Sequence, residues 1–423
     1  MRIVHVEDFI HPDAGYQVNL LSRLQQADGH EVFVVTAELE KLPAFLTEFF
    51  GKDDIEGRDR RFERETGVKI LRVPTLGYYS GRAIFRPDQL LRAVLSLKPD
   101  VVMVHGEDTL TGILFIASSG LLPCPIVLDC HSLEMASVNP YKEYFRAVYK
   151  RVVTPVILTR RIPLIRVVDS DFVEKCLGIP LSHTILLSFG TDTNYFRPDD
   201  EARRAMRARL GVDEHTFLVL YAGKLDEAKG GHFLGQTLEK KLTGPGGRKM
   251  EFLVIGNGVG DYGKEVDRLF ARSQNRIIRL PTQRYMDLAQ YYQAADIAVF
   301  PRQCSLSFFE AQACGLPVIF EDNEINAQRV QGKNAVIFRP CDVDDLRAAL
   351  IRLAARPYAD VAEARTAARD FVLKTYDYVP IAREFTRILA EQAQTFRARG
   401  KLDLRRRVFS SLVGAGRSGS KQA

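Results

Sequence analysis

Long apolar runs, paired cysteines and the common glycine signatures of nucleotide-binding proteins are all missing from this 423-residue chain. No window of 18 or more apolar residues occurs, so no segment reads as a membrane-spanning helix. The opening "MRIVHVEDF" reads as a strand rather than a signal peptide, and the expected location is the cytoplasm. The six cysteines, Cys124, Cys130, Cys176, Cys304, Cys314 and Cys341, are scattered, with no C-x-x-C pair. Several lie in apolar runs, which predicts buried free thiols in a reducing compartment and speaks against a structural zinc site. No G-x-G-x-x-G opens either half, which argues against a nicotinamide dehydrogenase, and the phosphate-loop order G-x-x-x-x-G-K-[ST] is absent.

Charge is present but unevenly placed. Of the net +6, residues 379–423 hold ten Lys/Arg against three Asp/Glu, and residues 141–166 hold seven against one. The remainder of the chain is net negative. Such local basicity fits an anionic surface touched by two segments, and argues against nucleic-acid binding, where a broad basic face is needed. In "YKEYFRAVYKRVV", Lys142, Arg146 and Lys150 recur every four residues beside Tyr141, Tyr144, Phe145 and Val148. A basic helix with aromatic neighbours suits an anionic membrane face; the same pattern also fits a solvated helix.

The two halves share one rhythm. Strands are expected at "RIVHV", "EVFVVT", "KILRV", "VVMVH", "IVLDC" and "LIRVVDS", then at "FLVLYAG", "EFLVIG", "RIIRL", "IAVF", "PVIF" and "AVIF". Continuous apolar strands separated by helical stretches mean parallel sheets covered on both faces. The fold class is therefore α/β, two doubly wound domains with a cleft between them. The division predicted is residues 1–188, then 189–379, with a helix over 380–398 returning to the first domain and a basic, disordered tail over 399–423. The hinge is expected in "SFGTDTNYFRPDDE".

Four segments carry chemistry. In "HPDAGYQVNLLSRLQQADGHEV", Gly15 permits close backbone approach next to a helix start, with Tyr16 and Gln17 following. In "YAGKLDEAKGG", Gly223 marks a turn, and Lys224 and Lys229 flank a loop that opens a helix, a spacing that suits a diphosphate and equally a pair of solvated lysines. "VIGNGVG" is a weak dinucleotide signature. His131 follows "IVLDC" and His105 ends "VVMVH", each at the carboxyl edge of a strand, and spacing does not choose between them. In "PRQCSLSFFEAQACGLPVI", Ser305 is a candidate N-cap, Glu310 the one acid of the helix, and Gly315 its stop. No spacing recommends a metal site.

In order and spacing these segments, with "SFGTDTNYFRP" and "NAVIFRPCDVDDLRAAL", resemble the retaining glycosyltransferases of family four, over roughly residues 1–395. The resemblance implies a GT-B fold of two facing Rossmann-like domains. It implies transfer of a sugar from a nucleotide-diphosphate sugar to a glycan, a lipid-linked acceptor or another glycoconjugate, with no bound metal and no other cofactor. It assigns Lys224 and Lys229 to the donor diphosphate, and Glu310 to the nucleotide ribose as the second acid of the family's E-x7-E motif. Backbone amides of Ser305, Leu306 and Ser307 fall near the donor, His131 beside the transferred sugar, and Gly15 and Gly223 beside the diphosphate. Tyr16 and Gln17 fall towards the acceptor. One position departs: the first motif acid is replaced by Arg302, and the loop is about three residues short. That departure admits an alternative, a GT-B binding or scaffold protein without turnover. A nucleotide-sugar epimerase of the same architecture would need catalytic acids that the sequence does not place.

Overall fold

In a computed structural model, residues 1–38, 49–51, 53–79, 82–131, 140–302 and 307–415 are described. The first seven-stranded sheet contains β1 (Arg2–Val6), β2 (Glu31–Ala37), β3 (Lys69–Val73), β6 (Val101–His105), β7 (Ile126–Cys130), β8 (Leu164–Arg166) and β9 (Thr184–Leu186). β4 (Thr75–Tyr79) and β5 (Arg82–Phe85) form a separate antiparallel hairpin. The second sheet has six strands: β10 (Phe217–Ala222), β11 (Met250–Ile255), β12 (Arg276–Leu280), β13 (Ile297–Phe300), β14 (Val318–Glu321) and β15 (Ala335–Phe338). The hairpin and β9 were not expected from the sequence. They are short and half-exposed, so they lack the continuous apolar run that marks the others.

Both sheets are parallel throughout. The first runs β3-β2-β1-β6-β7-β8-β9, and the second β12-β11-β10-β13-β14-β15. Their central strands are apolar on both faces, as in β10, where every residue is buried. Helices cover those faces and stop where their sequences say. Asp199 and Asp342 cap the helices Asp200–Leu210 and Val343–Ala354 through their carboxylates. Gly315, at φ +76°, ends the helix Ser307–Ala313 before β14.

Strand order reverses between β1 and β6 in one sheet and between β10 and β13 in the other. At such switch points adjacent βα loops diverge and leave a crevice at the carboxyl edge. The loops at these two points are those after β1, β6, β10 and β13, which carry most of the residues the sequence singles out.

Between the sheets the chain crosses twice. Thr191 and Asp377 pair as an isolated parallel bridge, with Thr191 N–H donating to the Tyr376 carbonyl at 3.0 Å and Tyr378 N–H to the Thr191 carbonyl at 2.9 Å. The last helix starts at Tyr378 and lies against the helix Gln17–Ala27 and against β6 and β7. Arg397 pairs with Asp100 there. The backbone stays helical to Ala415, where the sequence predicts disorder from residue 399. Of the described cysteines, Cys124, Cys130, Cys176 and Cys314 are buried free thiols, while Cys341 is exposed. No described helix is long and apolar enough to cross a membrane.

Candidate functional site

Where the two carboxyl edges face one another lies a cavity of about 750 Å³. Gly15, Tyr16, His131, Gly223, Lys224, Lys229, Arg302, Ser307 and Glu310 all line it, drawn from both domains. Ser305 and Leu306 lie outside the described residues. Gln17 does not reach the cavity: its side chain is buried next to the Tyr378 hydroxyl under the last helix. His105 is also withdrawn, fully buried behind the cavity wall.

The second-domain half of the site follows from its loops. After β10 the chain turns at Gly223, and the missing side chain of Gly256, at φ +139°, lets the β11 loop come up against the Gly223 carbonyl. Thus "VIGNGVG" serves close backbone packing beside the cavity. Lys224 lies with Nζ 4.4 Å from the ring centre of Phe49. Burial, reinforced by Lys229, lowers the Lys224 pKa. Asp226 opposes that shift, and two ammonium groups lining one cavity, one of them desolvated, favour an anion there. Asp226 accepts from the Lys229 backbone N–H at 2.8 Å and shapes the turn.

Glu310 sits in the first turn of the helix Ser307–Ala313 and is only 5% exposed. Tyr292 donates to its Oε2 at 2.9 Å. Burial pushes the carboxyl up to about 7, offset in part by that hydrogen bond. A carboxylate so placed, with one oxygen engaged, is incomplete without further hydroxyl donors. Arg302 borders the same cavity and reaches the Glu227 carbonyl at 3.4 Å, with Arg329 as a further lining cation.

On the first-domain side, His131 follows β7 and is about one-third exposed. Its Nε2 lies 3.0 Å from Asp129 Oδ2, and the ring packs edge-on against Phe189. Among the described residues, His105, Asp129 and His131 are the one group whose donors could converge on a metal. His105 Nδ1 and Asp129 Oδ2 are already 2.6 Å apart, bonded to each other, which suits proton sharing rather than a cation held between them.

Models of two families match this chain, "Glycosyl transferase 4-like domain" over residues 14–159 and "Glycosyl transferases group 1" over residues 216–356, together spanning both domains. The chain belongs to the group 1, family-four type of glycosyltransferases. A D-inositol 3-phosphate glycosyltransferase of Xylanimonas cellulosilytica is 29% identical over 162 residues, 36% of this chain and 38% of the relative. The match thus spans well under half the length of that relative. A glycosyltransferase structure from Rickettsia africae superposes with TM-score 0.70 at 12% identity, covering 92% of this chain and 98% of its own. Anabaena HepE, solved with UDP and glucose, superposes with TM-score 0.68 at 17% identity, covering 92% and 100%. The fold of this family-four member is GT-B, as its sequence pattern predicts.

For a family-four protein, some residues at the cleft carry no motif. Tyr285 and Tyr292 flank Glu310, and Asp13 is tied to Arg58 and Arg61, each at 2.6 Å. Asp129 had a usable signal, a lone acid inside the apolar run "IVLDC".

Proposed function

We propose that the protein is a retaining glycosyltransferase that moves a sugar from a nucleotide-diphosphate donor to an acceptor held against the first domain, without a bound metal. The observation that carries this reading is the convergence of Lys224, Lys229 and Glu310 on one cavity at the switch point of the second sheet. Two lysines and the amides opening the helix Gly231–Glu239 suit a departing diphosphate, whose growing charge needs cations when no metal is present. Glu310, as a carboxylate, accepts two vicinal ribose hydroxyls. His131 lies by the transferred sugar. Retention follows from front-face attack: the acceptor oxygen bonds the anomeric carbon as its bond to phosphate breaks, and a donor phosphate oxygen takes the acceptor proton.

The acceptor is a glycan, glycolipid or other glycoconjugate, presented in the cytoplasm. For a lipid-linked acceptor, the helix Lys142–Arg160 is the contact. Its basic residues form the outer stripe that the sequence suggests only in part. Arg146 is buried, paired with Glu143 at 2.8 Å, and Lys150 donates to the Lys175 carbonyl at 2.7 Å. What faces outward is mixed: Tyr144 at 75% exposed, with Val148 and Val152, beside the exposed Lys150 and Arg151. A vesicle contact by this face would join apolar insertion to a salt-sensitive attraction by Lys150 and Arg151.

Release of nucleoside diphosphate from a panel of nucleotide sugars, with and without chelator, tests the reading. One donor should be consumed, unaffected by chelator. Arg302 at the place of the first motif acid favours a second reading, a binding protein without turnover, and nucleotide binding with no release of any donor's sugar would establish it.

A further inference from the structure

Behind His131 runs a line of buried polar groups that the donor site does not use. His5 on β1, His105 on β6 and Asp129 on β7 sit on adjacent strands, all with essentially no exposure. Gln25, on the helix Gln17–Ala27, closes the far end, its Oε1 2.7 Å from His5 Nε2. His5 Nδ1 is 3.0 Å from His105 Nε2, and His105 Nδ1 is 2.6 Å from Asp129 Oδ2. At the cavity end the same Oδ2 lies 3.0 Å from His131 Nε2, a buried nitrogen that faces the carboxylate obliquely and has no other partner among the described residues.

Donors and acceptors along this line can be assigned one by one. An amide oxygen only accepts, so His5 Nε2 carries a proton and donates to Gln25. A neutral His5 then has a bare Nδ1, and His105 Nε2 must donate to it. His105 Nδ1 must also donate, because its partner is a carboxylate oxygen. Both ring nitrogens of His105 therefore hold protons, and His105 is an imidazolium paired with the Asp129 carboxylate.

We propose that His105 is a resident buried cation that neutralises Asp129, so that His131 stays the neutral Nε2–H tautomer and offers its Nδ1 lone pair to a hydroxyl of the bound sugar. Gln25, His5, His105 and Asp129 are positioning residues; His131 alone touches substrate. This rests on the reading of the cleft as a sugar-transfer site. Without His105, Asp129 would lose its 2.6 Å partner and the carboxylate that orients the His131 ring would no longer be fixed.

The surroundings agree. Burial, with His105 beside it, pushes His5 down to about 3, so it stays neutral. Burial alone would lower His105, but the charge of Asp129 and the hydrogen bond to it leave its pKa raised. Burial would raise Asp129, yet His105 and His131 hold it well below the carboxylate range. Gly106 N–H adds a bond to Asp129 Oδ1 at 3.1 Å. Glu7 adds a weaker field that also favours the charged His105, while Glu107 is pushed far up by burial and so contributes little charge.

Histidine-selective 15N NMR of the full chain at neutral pH tests the proposal without any donor. His105 should show two protonated nitrogens, and His131 one, on Nε2. In His105→Gln the ring 15N signals of His131 should change, because the carboxylate beside it has lost its partner. Turnover with donor should fall about tenfold, the loss of one hydrogen bond, while affinity for nucleoside diphosphate alone is unchanged. Should that variant fail to fold, Gln25→Met removes the terminal acceptor, and His105 should lose its cationic signature. Neutral His105 in the wild type, as a reversed Gln25 amide would give, overturns the proposal. So does a His131 whose ring 15N signals are unchanged when His105 is replaced. Loss of nucleotide binding in the wild type would instead count against the donor site, leaving the NMR result to stand separately.

Discussion

A Cβ added to Gly15 would lie 2.0 Å from Cδ2 of Tyr285, so these two residues, one from each domain, set how closely the walls of the cleft approach. The same seam holds a backbone bond from Tyr285 N–H to the Asp13 carbonyl at 2.9 Å. Tyr285 cannot swing away, because its ring is buried and packed edge-on against Phe196 at 5.1 Å. Gly15→Ala must therefore push the walls apart. Turnover should fall by about tenfold or more, as expected when reacting groups are displaced by an ångström. Affinity for nucleoside diphosphate should fall too, since Gly15 lines the same cavity as Lys224 and Lys229. Steady-state kinetics beside titration calorimetry checks this, and wild-type turnover in Gly15→Ala would show that the seam does not govern catalysis.

Glu310 gives a pH test whose sign can be worked out. Its folded pKa, pushed up to about 7 by burial, stands above the unfolded carboxylate value. The neutral form is thus favoured in the empty protein. Its contribution is fully present below the unfolded pKa and is lost as pH rises through about 7. Glu310→Gln keeps an acceptor for Tyr292 and carries no charge. It should stabilise the empty protein at pH 8, by up to about 3 kcal/mol, and leave stability at pH 4 unchanged. Nucleotide affinity should fall in the same variant, and in the wild type should weaken as pH drops below 7. Thermal melts at the two pH values decide it; equal effects at both would separate Glu310 from this titration.

Glu310, Lys224 and Lys229 were legible in the sequence because each lies in a strand–loop–helix unit whose local pattern fixes its place at a sheet edge. The parallel strands were legible for a similar reason, as continuous apolar runs such as "FLVLYA". The line joining His5, His105 and Asp129 was not, although His105 at a strand end and Asp129 in an apolar run each stood out singly. The three belong to β1, β6 and β7, and His5 and His105 are 100 residues apart, brought together only by the strand order. Gln17 was misplaced because a helix start near a ligand loop does not say which face turns inward. Arg146 was misread for the same reason: a four-residue repeat places side chains on one face but does not show which face packs.

Arg302 stands where the family pattern has an acid, and it lines the cavity with Arg329 and the neighbouring Glu321. The expected consequence is selectivity for a donor whose sugar carries a negative group. Arg302→Glu should reverse this, cutting kcat/KM for an acidic-sugar donor by about tenfold to a hundredfold and raising it for the neutral analogue. Competition between matched uronic and neutral nucleotide sugars measures the ratio. An unchanged ratio would remove Arg302 from donor choice.

The most direct measurement is thermal stabilisation by a panel of nucleoside diphosphates and nucleotide sugars, comparing wild type with Glu310→Ala and Lys229→Ala. One nucleotide should raise the melting temperature on the order of 5 °C at about one hundred times its Kd. Both variants should lose most of that shift. No shift with any nucleotide, or equal shifts in all three proteins, would contradict a donor site built on these two residues.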